Sequence, residues 1–255
     1  MIGVRTDLEE YRAAVAEFAA TTRLGRQAAE IAVVLGGPAW PGAVARAIGA
    51  GARAVIVHQP VPDLHGLEEL APTDVPVVLA RPGLRADDAR DAAPVALPAA
   101  VSVQLQTPRG GFFAGLADAV GWARVLAGRE LELRGVARDA HAALVDLEPA
   151  AGGAGIAVIA SERLDARGVM RLRATTVAAE RVDVVSNGTV ATVTRSSPAG
   201  DLVHARRWES VARLALRRAV AAVEEGAVVD DLQEWRHDVA LARRAAASAA
   251  AAGTH

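Results

Sequence analysis

The chain of 255 residues has no cysteine and no lysine; apart from histidine, all of its basic side chains are arginine. Without thiols there is no disulfide, no thiolate metal site and no thiol nucleophile, and reducing cytosol is the expected compartment. Without lysine there is no Schiff base and no ε-amino acid/base catalyst, because arginine keeps its proton near neutral pH. No apolar run approaches the roughly 20 residues of a membrane span. The opening stretch MIGVRTDLEEYR is charged where a secretory leader would be apolar. With 28 basic and 30 acidic residues the net charge is -2, so nothing marks a surface for nucleic acid or anionic lipid.

What is present is a core-forming composition, 52% hydrophobic and 23% charged, with length for one large or two small domains. Ile2-Gly3-Val4 reads as a short strand. Residues 7 to 20 read as a helix opened by a capping box, Asp7 with Glu10 three positions on. The continuous apolar run Ile31 to Leu35, stopped by Gly36-Gly37-Pro38, has the pattern of a parallel strand buried on both faces. A helix over 41–51, a strand at Val55-Ile56-Val57, a short helix over 64–70 and a strand over 75–79 continue a β-α-β-α-β period. The proline-broken stretch 83–98 reads as an irregular or helical connection, with a domain boundary near residue 100.

Beyond it, a helix over 114–126 and an alternating stretch over 130–136 lead to strand candidates at 156–160, 169–177, 181–186 and 189–195. Strands in succession without intervening helices imply an antiparallel sheet. Helices over 209–225 and 230–252 close the chain. The expected fold class is thus α/β plus α+β: a truncated Rossmann-like parallel sheet over 1–100, then an antiparallel-sheet domain over 101–255.

Four stretches carry a resemblance. IAVVLGGPAWPGAVARAIGAGARAVIVHQPVPDLHGLEEL resembles the strand, cofactor-contacting turn, helix and Glu-Lys-Pro strand of the Gfo/Idh/MocA sugar dehydrogenases. DAVGWARVLAG, AGIAVIASERLDARGVMRLRATT and the closing LALRRAVAAVEEGAVVDDLQEWRHDVALARRAAASAAAAG are similar to later segments of the same family. The resemblance implies a sugar or polyol dehydrogenase fold, NAD(P) as the family's cofactor, and an oligomer formed through the sheet face of the second domain.

Three departures qualify it. No G-x-G-x-x-G turn precedes residue 31, so the first β-α unit with its pyrophosphate site is expected to be missing, unless it is encoded upstream of Met1. His58-Gln59-Pro60 stands where the family has Glu-Lys-Pro, and glutamine bonds a hydroxyl without moving its proton. The family's general-base histidine segment corresponds to Gly111 to Trp122, which holds no histidine.

The candidate residues follow from both readings. His58 and Gln59, at a strand end, are the candidate catalytic or hydrogen-bonding pair. Gly36, Gly37 and Pro38 end a strand and also stand at the family's nicotinamide-contacting turn. Arg81 and Arg109 follow strand ends and are candidates for a carboxylate or sugar oxygen. His65 beside Asp63 reads equally as helix capping; His141, near Asp139 and Asp146, has no tight second ligand, so no metal is assigned. Trp40 and Trp122 read as packing residues, and His204 and His237 as solvated ones.

The expected function is that of a Gfo/Idh/MocA-like protein that has lost dehydrogenase activity and holds no cofactor. It would act as a pseudoenzyme subunit, paired with itself or with a full-length relative, or as a binder of a sugar-like ligand. The rival is a working enzyme: an NAD(P)-dependent oxidoreductase, or a lyase or isomerase using His58. Loss of the first β-α unit would leave Ile31–Leu35 as an exposed sheet edge needing cover from a second subunit.

Overall fold

A computed structural model describes residues 1–25, 29–70, 72–94, 96–139, 141–163, 169–188 and 190–248. In chain order the elements are β1 (Ile2–Arg5), α1 (Glu9–Glu17), β2 (Thr22–Leu24), β3 (Ile31–Leu35), α2 (Trp40–Gly49), β4 (Ala54–His58), α3 (Leu64–Glu69), β5 (Val77–Ala80), α4 (Ala86–Ala92), β6 (Ala100–Thr107), α5 (Phe112–Ala127), β7 (Leu131–Arg138), β8 (Ala142–Pro149), β9 (Gly155–Glu162), β10 (Arg171–Val177), β11 (Arg181–Ser186), β12 (Ala191–Ser197), β13 (Gly200–Val203), α6 (Val211–Glu225) and α7 (Asp231–Ser248). They fall into two compact units, residues 1–81 with 208–236, and residues 82–207 with 237–255. Residues 82–99, expected with the first part, lie in the second unit by this division. No described helix is long and apolar enough to cross a membrane.

The first unit is built on a parallel sheet of order β2-β1-β3-β4-β5. Strands β1, β4 and β5 are short, largely apolar runs buried on both faces, the usual state of parallel strands; all five residues of β4 are buried, whereas the edge strand β2 exposes Arg23 and Leu24. One face packs Ile2, Val4, Ile31, Ile56 and Val78 against Tyr11, Ala14 and Val15 of α1 and Ala212, Ala215, Leu216 and Ala219 of α6. The opposite face takes α2, whose first turn carries Pro41, its fixed φ already helical.

The structure corrects the expectation of a missing first β-α unit. β1 and α1 are that unit, and β1 lies inside the sheet between β2 and β3. Ile31–Leu35 is therefore flanked by β1 and β4, and the sheet's edges are β2 and β5. The capping box does not form either. α1 begins at Glu9 behind Leu8 with no side-chain cap, because Thr6 Oγ1 accepts the Leu8 N–H at 3.1 Å and turns the chain first. Asp63 does cap α3, accepting from Gly66 N at 3.1 Å.

The second unit carries an eight-stranded sheet of order β13-β12-β11-β10-β6-β9-β8-β7, antiparallel throughout except for the parallel pair β6 and β9. Strands β6, β8 and β13 were not among the expected ones, although β6 and β8 alternate buried and exposed positions as half-buried strands do. α5 covers the face of β6, β9 and β10, and it ends at Gly128 in the left-handed conformation. Gly115 lets it lie close, since a Cβ there would stand 3.2 Å from Leu105 Cδ2.

Candidate functional site: the carboxyl-terminal rim of the parallel sheet

In an open parallel sheet the loops beyond the strands' carboxyl ends form the usual ligand crevice. Here the register sets Leu35, His58 and Ala80 side by side at the ends of β3, β4 and β5. The next residues along are Gly36, Gln59 and Arg81, so one rim gathers most of the candidate residues. Gly36 N donates to His58 O at 2.7 Å, Gln59 N donates to Ala80 O at 3.0 Å, and Val61 N donates back to Gly36 O at 2.8 Å.

The rim is tight and strained. A Cβ on Gly36 would stand 2.5 Å from Pro60 Cα and 2.6 Å from Gln59 C, with the Gln59 carbonyl oxygen nearer still. Gly37, by contrast, faces open space. Among the described residues two non-glycines have positive φ, Ala39 at 62° and Gln59 at 51°, and both lie on this rim. Such conformations cost of order 1–3 kcal/mol each and persist where the surroundings enforce them. Gly36→Ala should accordingly lower stability by about 1–3 kcal/mol, because the clashing atoms are backbone and cannot rotate aside. Thermal denaturation checks this: an unchanged midpoint would mean that the two loops are free to separate.

His58 is buried, and neither ring nitrogen is left to a ligand. Nε2 lies 2.8 Å from Glu10 Oε1, and Nδ1 lies 3.4 Å from the Tyr11 hydroxyl, the two rings meeting edge to face. With an ionised Glu10 as acceptor, Nε2 carries the proton and Nδ1 accepts from the phenol. Burial pushes the His58 pKa down, against the opposing pull of Glu10. Burial, aided by the Glu10 charge, pushes the Tyr11 phenol up. Near neutral pH the chain is thus carboxylate, neutral imidazole and phenol, and its half-exposed member is Glu10. A ligand meets His58 through Glu10. Glu10 and Tyr11 were missed in the sequence; the acidic run after the first strand was the available signal.

The turn between β1 and α1, where a Rossmann unit places its phosphate, is Thr6-Asp7-Leu8. It has no glycine, and Glu9 and Glu10 follow it in the first turn of α1. Asp7, Glu9 and Glu10 are all exposed. Positive charge on the rim comes from Arg81, which is buried with its guanidinium 4.4 Å over the Trp235 ring.

The remaining candidates lie apart from this cluster. Arg109 belongs to the second unit, exposed on the turn after β6. His65 pairs with Glu69 at 3.3 Å on α3. The His141 backbone N donates to Asp139 Oδ1 at 2.7 Å, an exposed turn. His237 accepts from Leu131 N at 3.3 Å, and His204 lies 3.6 Å from Asp91. Trp40 and Trp122 are buried packing residues whose indole N–H groups donate to Val61 O at 3.0 Å and Gly83 O at 2.8 Å. Among the described residues no three His, Asp or Glu side chains group as a metal site.

No protein-family model and no curated protein matches the chain. Solved structures do. The UDP-N-acetylglucosamine 3-dehydrogenase GnnA of Acidithiobacillus ferrooxidans is similar with a TM-score of 0.69 at 15% identity, over 98% of this chain and 97% of that one. An oxidoreductase of Thermotoga maritima gives 0.65 at 12% identity, over 97% and 95%. A 3-ketoreductase of Actinomadura kijaniata, solved with NADP, gives 0.62 at 12% identity, over 98% and 89%. The chain thus spans about nine tenths or more of the length of these structures. At such identities the likeness is one of fold, and that fold is the one implied by the Gfo/Idh/MocA resemblance: a Rossmann-like parallel sheet followed by a largely antiparallel one.

Proposed function

We propose that this protein binds a sugar-like ligand, or serves as a pseudoenzyme subunit, without transferring hydride to a dinucleotide. One observation carries the reading. The β1–α1 turn offers three residues without glycine and sets Asp7, Glu9 and Glu10 at the helix end that would hold a pyrophosphate. A helix N-terminus attracts phosphate through its unpaired N–H groups and its positive dipole end, and three carboxylates there oppose both. The absence of lysine and the presence of Gln59 at the rim point the same way, since an amide cannot polarise and deprotonate a reacting hydroxyl.

The test is titration calorimetry with NAD(H) and NADP(H). Binding no tighter than millimolar is expected, about -4 kcal/mol or weaker. A low-micromolar constant, unaffected by changes in the second unit, would overturn the proposal and favour an active NAD(P)-dependent oxidoreductase; the A. kijaniata ketoreductase, solved with NADP, makes that outcome concrete.

A second reading, a lyase or isomerase on a sugar-like substrate, is favoured by the Glu10–His58–Tyr11 chain. There Glu10 would take the substrate proton while His58 holds the carboxylate in place. Assembly into a homo- or hetero-oligomer, with a full-length relative as one possible partner, is also proposed. Its support is the exposed apolar pair Leu144 and Ile159, side by side on β8 and β9 of the second sheet.

A further inference from the structure

Within the second unit, the sheet face turned away from α5 carries a concavity of about 540 Å³. Strand register builds it. Gln104 of β6 stands opposite Arg173 of β10, which in turn stands opposite Val185 of β11; one step along, Gln106 stands opposite Arg171. Arg171 and Arg173 are two residues apart on one strand, so both side chains leave the same face. Arg206, from the segment after β13, and Asn187, just beyond β11, complete the polar wall.

The charge is one-sided: among the described residues three arginines line the space and no carboxylate does. The nearest acid in the register, Asp183 of β11, is already engaged by Thr175 Oγ1 at 2.6 Å and Arg181 Nε at 2.7 Å. Several other arginines are paired with acids, as Arg85 is with Asp87 and Arg218 with Asp231. Arg171 and Arg173 make no ion pair or side-chain hydrogen bond among the described residues. Two unmatched guanidiniums held 2 positions apart in a protein of net charge -2 are a local feature, not a consequence of a basic surface.

We propose that this concavity binds a phosphorylated small molecule, with the phosphate or diphosphate held by Arg171 and Arg173. Planar guanidinium forks match phosphate oxygens in bidentate fashion, and the flanking amides of Gln104 and Gln106 add donors that suit the same oxygens. The volume exceeds that of a bare phosphate and falls in the range of small-molecule pockets, which points to an organic phosphate. Val185 and Val190 supply the apolar patch for its organic part. The site is independent of the rim of the parallel sheet and of the reading given for it.

The test is calorimetry on the full chain with inorganic pyrophosphate, ADP and adenosine, in low and high salt, repeated on the Arg171→Ala/Arg173→Ala double variant. ADP is expected to bind more tightly than pyrophosphate and adenosine not to bind; the double variant should weaken ADP at least tenfold, with circular dichroism unchanged. Any NADP signal lost in that variant belongs here, whereas one that survives it counts against the proposed function of the rim. Equal binding of ADP and pyrophosphate would overturn the organic-phosphate assignment. Binding of neither at millimolar concentration, or binding indifferent to the double variant, would overturn the site altogether. Light scattering decides the remaining competitor: a double variant that changes the molar mass while no phosphate binds would make the face a subunit interface and the proposal wrong.

Discussion

Asp238→Ala should destabilise the protein by about 3–5 kcal/mol, the cost of leaving a buried charge without its partner. Asp238 of α7 is fully buried, and its two oxygens lie 2.9 and 3.3 Å from Nε and Nη2 of Arg124, itself 8% exposed on α5. Arg124 sits in the last turn of α5, where a cation also suits the helix dipole, so the guanidinium is well placed only while it is paired. Urea denaturation measures the loss. Asp238→Asn, which keeps shape and one acceptor, should lose less. The contrast with Arg124→Met/Asp238→Leu makes the argument specific, since removing both charges together is often neutral or better. A change below 1 kcal/mol in Asp238→Ala would mean that water reaches Arg124 and the pair is not a buried one.

Asp88→Asn should stabilise the protein above pH 6, and the gain should vanish below about pH 4. Asp88 of α4 is buried beside Asp87, and its pKa is raised from 3.8 to about 6. Burial is the main cause and the Asp87 charge the next, with Arg85 pulling the other way and Asp91 and Arg207 making smaller opposing contributions. Asp87 feels the same burial but is held below its usual value by Arg85, whose Nη2 lies 2.8 Å away.

The sign follows from proton counting. Between pH 3.8 and about 6 the folded chain keeps a proton on Asp88 that the unfolded chain has released. Stability therefore falls as pH rises through that window and stays lower above it. The rise from 3.8 to about 6 corresponds to about 3 kcal/mol as an upper bound, with the opposing pull of Arg85, 3.6 Å away, already included. Melting curves of both proteins at pH 4 and pH 8 decide: equal midpoints at pH 8, or an equal gain at both pH values, would contradict a buried ionised Asp88.

The parallel strands were legible in the sequence wherever burial on both faces writes a continuous apolar run, as in Ala54–His58 and Val77–Ala80; Ile31–Leu35 was legible too, although its end at Leu35 is exposed. The place of Ile2–Arg5 was not, because strand order is set by what packs around a strand and not by its own residues. The missing glycine turn suggested a missing strand, yet a strand needs only apolar residues and a neighbour, and Ile2 and Val4 supply them between β2 and β3. β6 and β8 were overlooked although AVSVQLQT and AALVDLEP alternate with period two. In the site, His58 and Gln59 stood out as polar residues ending an apolar strand. Glu10 and Tyr11 did not, because their nearness to His58 exists only once β1 and β4 share a sheet. The positive φ of Gln59 leaves no mark in a residue type that seldom adopts it.

The helix α6 is part of the first unit's core although it comes after the whole second sheet in the chain. Ala212, Ala215, Leu216 and Ala219 close over Ile31, Ile56 and Val78. Domains ordinarily fold in the order in which they leave the ribosome. Here the amino-terminal sheet must wait, one flank uncovered, while more than a hundred residues of the second unit are synthesised. During that interval the later-made sheet is the first to have its own strands and α5 complete. The nascent chain should therefore be open to proteases and in need of chaperones at its amino-terminal end until α6 emerges, while the second unit waits longer still for the end of α7, whose Asp238 pairs with Arg124.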